Sequence, residues 1–198
     1  MTPRGILMAF EGLDQSGKET QAARLRERFA AAGRMVRALS FPDYGTPIGR
    51  EIRAALDGQR DFAPDTLQLL YIANRHEYRE QIEAWLAAGD VVICDRYRAS
   101  SIAYGDAQGL DAGWLRDVQR HLPEPAVIFL LDIAPEEAAR RKAVGRDKFE
   151  RDLPLLSRVR DSYRRQAADE GWEVIDGSRS KEEIAEDVLR MVTSRGLI

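Results

Sequence analysis

The stretch Phe10-Glu11-Gly12-Leu13-Asp14-Gln15-Ser16-Gly17-Lys18-Glu19-Thr20 follows an apolar run, Gly5-Ile6-Leu7-Met8-Ala9-Phe10, and leads into a helical pattern. Its Gly12…Gly17-Lys18 spacing is that of a phosphate-binding P-loop between a strand and a helix. The glycines let successive backbone N–H groups turn inward as an anion nest, and the helix N-terminus adds positive potential. Lys18, read here as part of an exposed loop, carries a full charge to the phosphates. The alternative, a glycine turn beside a surface lysine, does not explain the placement between a buried strand and an amphipathic helix. One position departs from the motif: Glu19 stands where a Ser or Thr hydroxyl would meet magnesium. Thr20, one residue further round the helix, points about 100° away and is no simple substitute. Glu19 therefore has two readings, an outward acid suited to a helix start or a ligand to the metal.

Working outward, apolar runs alternate with helical patterns along the chain. After the first run come Met35-Val36-Arg37-Ala38-Leu39, Val91-Val92-Ile93-Cys94, Ala126-Val127-Ile128-Phe129-Leu130-Leu131 and Trp172-Glu173-Val174-Ile175. Three of the five lack polar alternation, as strands buried on both faces of a parallel sheet do. Ala22, Leu25 and Phe29 line one face of a first helix that Gly33 stops. Leu67, Leu70, Tyr71, Asn74, Tyr78, Ile82 and Trp85 predict one long helix from about 64 to 88. Ile184, Val188 and Met191 mark a last one. This order implies a three-layer α/β/α domain spanning 1–198 with a five-stranded, mostly parallel sheet.

Composition narrows the class. The chain has 198 residues, 44% hydrophobic and 32% charged, as a soluble globular protein has. A net charge of −3 argues against a broad nucleic-acid footprint. No stretch approaches the roughly 18 apolar residues of a membrane span, and no signal peptide is evident before the first strand. The single cysteine, Cys94, forms no internal disulfide and suits a reducing cytoplasm. Its apolar setting reads as core. His76 and His121 read as surface residues.

Four further constellations carry chemistry. The third strand ends in Asp95-Arg96-Tyr97-Arg98-Ala99-Ser100-Ser101-Ile102-Ala103-Tyr104, and open α/β sheets bind ligands beyond the carboxyl ends of their strands. A carboxylate there helps hold magnesium, and an adjacent arginine grips a phosphate; a surface Asp–Arg ion pair is the plainer alternative. Tyr71 and Arg75, four apart, share a helix face, as a ring for a base and a fork for a phosphate would; a core tyrosine beside a surface arginine is the other reading. Phe41-Pro42-Asp43-Tyr44-Gly45-Thr46-Pro47-Ile48-Gly49 forms an ordered turn whose aromatics either cap a ligand or pack. The basic run 140–152 is either a solvated charge run or a lid, about 141–152, that closes over a nucleotide and brings arginines to the transferring phosphoryl group.

Together these residues resemble the thymidylate kinase family over nearly the whole chain. The phosphate loop, the Phe-Pro-x-Tyr turn at Phe41–Tyr44, Asn74-Arg75, and above all the Asp-Arg-Tyr-x-x-Ser signature at Asp95–Ser100 carry the resemblance. It implies phosphorylation of dTMP to dTDP by ATP with magnesium, in a cytoplasmic homodimer. It implies that Gly12, Leu13, Asp14, Gln15, Ser16, Gly17, Lys18, Glu19 and Thr20 hold ATP, with Arg141 against adenine. Asp14, Asp95 and Glu150 are implied near the metal. Phe41, Tyr44, Tyr71, Arg75, Arg96, Ser101, Tyr104 and Phe149 are implied around the acceptor, with Arg75 and Arg96 on its phosphate and Tyr104 screening the 2′ position. Because Gln15 is not basic, the catalytic arginine is expected in the lid, at Arg146 or Arg151. The strand end near Asp176-Gly177-Ser178 is implied beside ATP. A kinase for another nucleoside monophosphate is the first alternative. A deoxynucleoside kinase lacks the need for two phosphate-gripping arginines. A regulatory nucleotide switch lacks support, since the chain has no Asn-Lys-x-Asp motif.

Overall fold

The computed structural model describes residues 5–142, 149 and 151–198. Five strands form one sheet: β1 (Ile6–Glu11), β2 (Val36–Ser40), β3 (Val91–Asp95), β4 (Val127–Asp132) and β5 (Glu173–Asp176). Their order is β2-β3-β1-β4-β5, and every pairing is parallel. The apolar runs explain that order. All six residues of β1 are buried, and β3 and β4 are buried at most positions, so they take the middle. β2 and β5 carry polar or exposed residues and lie at the edges. The register fixes what the strand ends present: Phe10 and Ser40 both lie opposite Asp95.

Between the strands run α1 (Lys18–Ala31), α2 (Pro47–Leu56), α3 (Pro64–His76), α4 (Arg79–Ala87), α5 (Arg98–Ala107), α6 (Ala112–Asp117), α7 (Pro135–Arg141), α8 (Leu153–Glu170) and α9 (Lys181–Ser194). Alternate residues of β1 serve the two faces of the sheet. Met8 and Phe10 pack with Leu25 and Phe29 of α1 and Val188 of α9, and the rings of Phe10 and Phe129 stack 5.0 Å apart. Leu7 and Ala9 face the other way, toward Ile82, Tyr97 and Cys94. On that second side α5 and α8 enclose Ala103, Leu130, Val159 and Tyr163. The three layers expected from the pattern are therefore present, and Cys94 is a buried core thiol.

One expected element divides in two. The stripe from 64 to 88 is not a single helix: α3 stops at His76 and α4 restarts at Arg79. At the break the Tyr78 N–H bonds to the Arg75 carbonyl, a tighter turn than the α-helix allows. The break lets the Tyr78 hydroxyl donate to the Asp43 carboxylate while Asn74, one turn earlier, holds the same loop. No glycine or proline marks it in the sequence.

Phe29, fully buried in the last turn of α1, joins the phosphate-loop helix to the sheet. Phe29→Ala is expected to cost about 3–5 kcal/mol of stability, read from urea denaturation; a loss under about 1 kcal/mol would mean that α1 is held chiefly by other contacts.

Candidate active site

The loop after β1 is shaped by close backbone approach. Gly12 has φ +136°, and a Cβ there would lie 2.4 Å from the Leu131 carbonyl oxygen of β4, so only glycine fits. Gly17, at φ +99°, is the residue from which α1 starts. Lys18 is the first residue of that helix, and it is buried at 6% exposure rather than set on an exposed loop. Its Nζ donates to the Leu13 carbonyl at 2.8 Å, curling the side chain back over the loop. Burial and the neighbouring Arg96 push its pKa below the ordinary lysine value, against the pull of Asp95 and Asp14. Glu19 is exposed in the first turn of α1.

Asp95 closes β3, and the chain then turns through Arg96 at φ +63°. The Arg96 N–H donates to the Phe10 carbonyl at 2.9 Å, so the turn is pinned to β1. Arg96 makes no surface pair: its side chain is 12% exposed, and Nη2 donates to Asp14 at 2.7 Å across the cleft. Its Nη1 donates to Ser100 Oγ and to the Tyr163 hydroxyl, each at 3.2 Å. Burial alone would raise the Asp14 pKa, but Arg96 and Lys18 outweigh it and hold the carboxyl at about 2. Asp14 is thus ionised throughout the neutral range.

The pairing of Tyr71 with Arg75 also differs from its plainer reading. Arg75 is buried at 2% exposure and Tyr71 is the more exposed of the two. Arg75 Nη1 donates to Ser101 Oγ at 2.8 Å and to the Tyr71 carbonyl at 3.1 Å, with the guanidinium 5.9 Å from the Phe41 ring. Burial lowers its pKa, which Glu11 partly restores. The turn carrying Phe41 and Tyr44 is locked by Asn74, whose amide bonds to Asp43 N–H, Asp43 O and Thr46 Oγ1. Phe41 is buried against Tyr78 and Tyr97, so packing accounts for most of its ring.

All eight residues expected around the acceptor, namely Phe41, Tyr44, Tyr71, Arg75, Arg96, Ser101, Tyr104 and Phe149, line one small pocket of about 80 Å³. Next to it lies a larger cleft of about 710 Å³, lined by Asp14 through Thr20, Asp95, Arg96 and Arg141. Gly12 and Leu13, expected beside ATP, are buried and do not line that cleft. The two spaces share a wall that includes Asp14 and Arg96. Arg141 bridges the larger cleft, donating to the Gln15 carbonyl at 3.1 Å and to the Gly177 carbonyl beyond β5 at 2.9 Å. The rings of Phe149 and Tyr104 meet edge to face, 5.7 Å apart. Arg151 is exposed and lines neither space. Arg146 and Glu150, and with them most of the expected lid, lie outside the described residues.

Sequence reading passed over Glu11 and Tyr163. Glu11 has no exposed surface, yet it accepts the Tyr97 N–H at 2.8 Å, Ser100 Oγ at 2.7 Å and the Tyr163 hydroxyl at 3.2 Å. A carboxylate at the end of a fully apolar strand was the available signal.

Comparison with known proteins agrees with this geometry. The family model described as thymidylate kinase matches residues 10–188. The chain belongs to the thymidylate kinase family. It is 36% identical to the thymidylate kinase of Arabidopsis thaliana, over 96% of this chain and 72% of that one. It is 31% identical to that of Homo sapiens, over 93% and 88%. A solved thymidylate kinase from Candida albicans superposes with a TM-score of 0.83 at 27% identity, covering 98% and 93% of the two chains. The chain is thus an ATP-dependent nucleoside-monophosphate kinase. Among the described residues, no helix is long and apolar enough to cross a membrane.

A lysine charge beside a phosphate-binding loop is placed to neutralise charge that develops there. Lys18→Met keeps length and apolar stem but removes the charge. Turnover is expected to fall about 10²–10³-fold or more, with a melting temperature near that of the parent. Coupled ADP-release assays and thermal melting check this, and turnover within a few-fold of the parent would remove Lys18 from the phosphate site.

Proposed function

We propose that this chain transfers the γ-phosphoryl group of ATP to dTMP, with ATP in the larger cleft and dTMP in the smaller pocket. The observation that carries this reading is the shared wall at Asp14 and Arg96, where two bound nucleotides would bring their phosphates together. An oxygen of the acceptor phosphate attacks the γ-phosphorus, the bond to the β–γ bridging oxygen breaks, and ADP leaves. The acceptor is a phosphate monoester, already anionic at neutral pH, so alignment and charge neutralisation suffice and no strong base is needed.

The roles follow from position. Lys18 and the loop N–H groups hold the ATP phosphates, and Arg141 lies on the adenine side. Arg96 lines both spaces and grips the acceptor phosphate. The resemblance implies Arg75 on the acceptor phosphate, but Arg75 lines only the smaller pocket, so we assign its fork to the base end there instead, while Tyr71 stacks on the base and Tyr104 crowds the 2′ position. Asp14 and Asp95 both face the larger cleft, and Asp14 is held ionised. They fit magnesium, which takes one or two carboxylates beside substrate phosphates and supplies charge neutralisation when bound. Glu19, exposed in the first turn of α1, lines the same cleft, and we leave it outside that set as an acid suited to a helix start. The family resemblance further supports a homodimer, and the lone buried thiol suits a cytoplasmic setting.

The test is a screen of all common nucleoside monophosphates with ATP and magnesium, repeated with Arg96→Ala. dTMP is expected to give the highest kcat/KM in the parent, and the variant is expected to raise KM for dTMP far more than KM for ATP. A parent that prefers another monophosphate, or a variant that affects both KM values equally, would overturn the assignment.

The segment 141–152 is read as the lid, with an arginine acting on the transferring group in place of the non-basic Gln15. Arg146→Ala or Arg151→Ala is then expected to depress kcat by about 10³-fold. Turnover within a few-fold of the parent for both single variants and their double variant would sink the lid-arginine idea.

A further inference from the structure

Gln68 sits in α3, one turn before Tyr71, at 1% exposure. It lines the smaller pocket, yet neither its Nε2 nor its Oε1 has a hydrogen-bond partner among the described residues. Its stem packs toward α5, where Cγ would lie 3.4 Å from a Cβ built on Gly105. Packing alone would be met by an unbranched apolar side chain of the same length. A buried carboxamide without partners is costly, so the two unpaired atoms call for a ligand. A second unpaired group shares the pocket: Arg75, held by Nη1 on Ser101, leaves Nε without a partner among the described residues.

The two residues present a defined set of hydrogen-bonding groups. Arg75 Nε–H only donates, whereas the Gln68 carboxamide offers one donor and one acceptor side by side. A pyrimidine with an imide edge offers the complement, a carbonyl, an N–H and a second carbonyl in a row. A 4-aminopyrimidine would turn a donor toward the Arg75 donor. Resting on the assignment of the smaller pocket to the acceptor, we propose that Gln68 reads the imide edge of the acceptor base. Its carboxamide accepts from the ring N–H and donates to a neighbouring carbonyl, making Gln68 a specificity residue for 4-oxopyrimidines.

The test uses Gln68→Met, which keeps length and removes both polar atoms, with Kd for dTMP and the inhibition constant of 2-deoxyribose 5-phosphate as readouts. The second probe has the sugar and phosphate but no base. The variant is expected to bind dTMP about tenfold or more weakly, as loss of buried hydrogen bonds to a base requires, with 2-deoxyribose 5-phosphate unchanged. Its preference for dTMP over dCMP is expected to shrink. dTMP affinity within twofold of the parent would overturn the proposal, with buried water then satisfying the amide. An equal loss for both probes would also overturn it and leave Gln68 a support of the pocket. Should Gln68→Met fail to fold, Gln68→Asn, which withdraws the carboxamide by one methylene, is expected to give the same split, and its absence overturns the proposal equally. Tyr71→Ala separates the two levels: unchanged dTMP affinity there removes the base from this pocket and both readings fall, whereas an effect of Tyr71→Ala without one of Gln68→Met removes only the role of Gln68.

Discussion

Glu11 places a carboxyl group at the carboxyl end of the central strand with no exposed surface. A buried carboxyl group is tolerated only if its polar atoms are hydrogen-bonded. One oxygen takes the Tyr97 N–H, the first amide after the strained turn at Arg96; the other takes Ser100 of α5 and Tyr163 of α8. The end of β3, the start of α5 and the middle of α8 are thereby drawn to one point. Arg96 then reaches back over the same hydroxyls to Asp14. The arrangement of Arg96 and Asp14 on the wall between the two spaces rests on this buried carboxyl group.

The balance of charge around that point explains how the site is poised. Lys18, Arg75 and Arg96 are crowded into a space in which burial disfavours a cation, and Glu11, Asp14 and Asp95 offset them. Lys18 and Arg96 both line the larger cleft and repel one another, a repulsion that an anion bound there would relieve. The protein positions these groups before substrate arrives, and little reorganisation remains for the chemical step.

The sequence carried the sheet and the phosphate loop openly, because both rest on local signals: uninterrupted apolar runs for β1, β3 and β4, and the glycine spacing before Lys18. The acceptor residues were readable as a set only through their likeness to a family, since Tyr71, Arg75, Ser101 and Tyr104 come from two helices that meet through tertiary packing. What the sequence hid was the burial of polar groups. Lys18 read as an exposed loop lysine, and Arg75 was open to a surface reading, yet both lie inside, because curling back on Leu13 and bonding to Ser101 are long-range or conformational facts with no periodicity. The division of the 64–88 stripe was hidden for a related reason: Asn74 and Tyr78 serve the loop at Asp43, and that partnership outweighs helix continuity.

The edge-to-face contact between Tyr104 and Phe149 has a thermodynamic reach beyond its small area. Tyr104 belongs to α5 and Phe149 to the segment before α8, and both line the smaller pocket. A nucleotide that shifts one ring must shift the balance of positions open to the other. A ligand that favours the paired rings therefore favours the segment before α8 in that place, and the paired rings favour the ligand by the same factor.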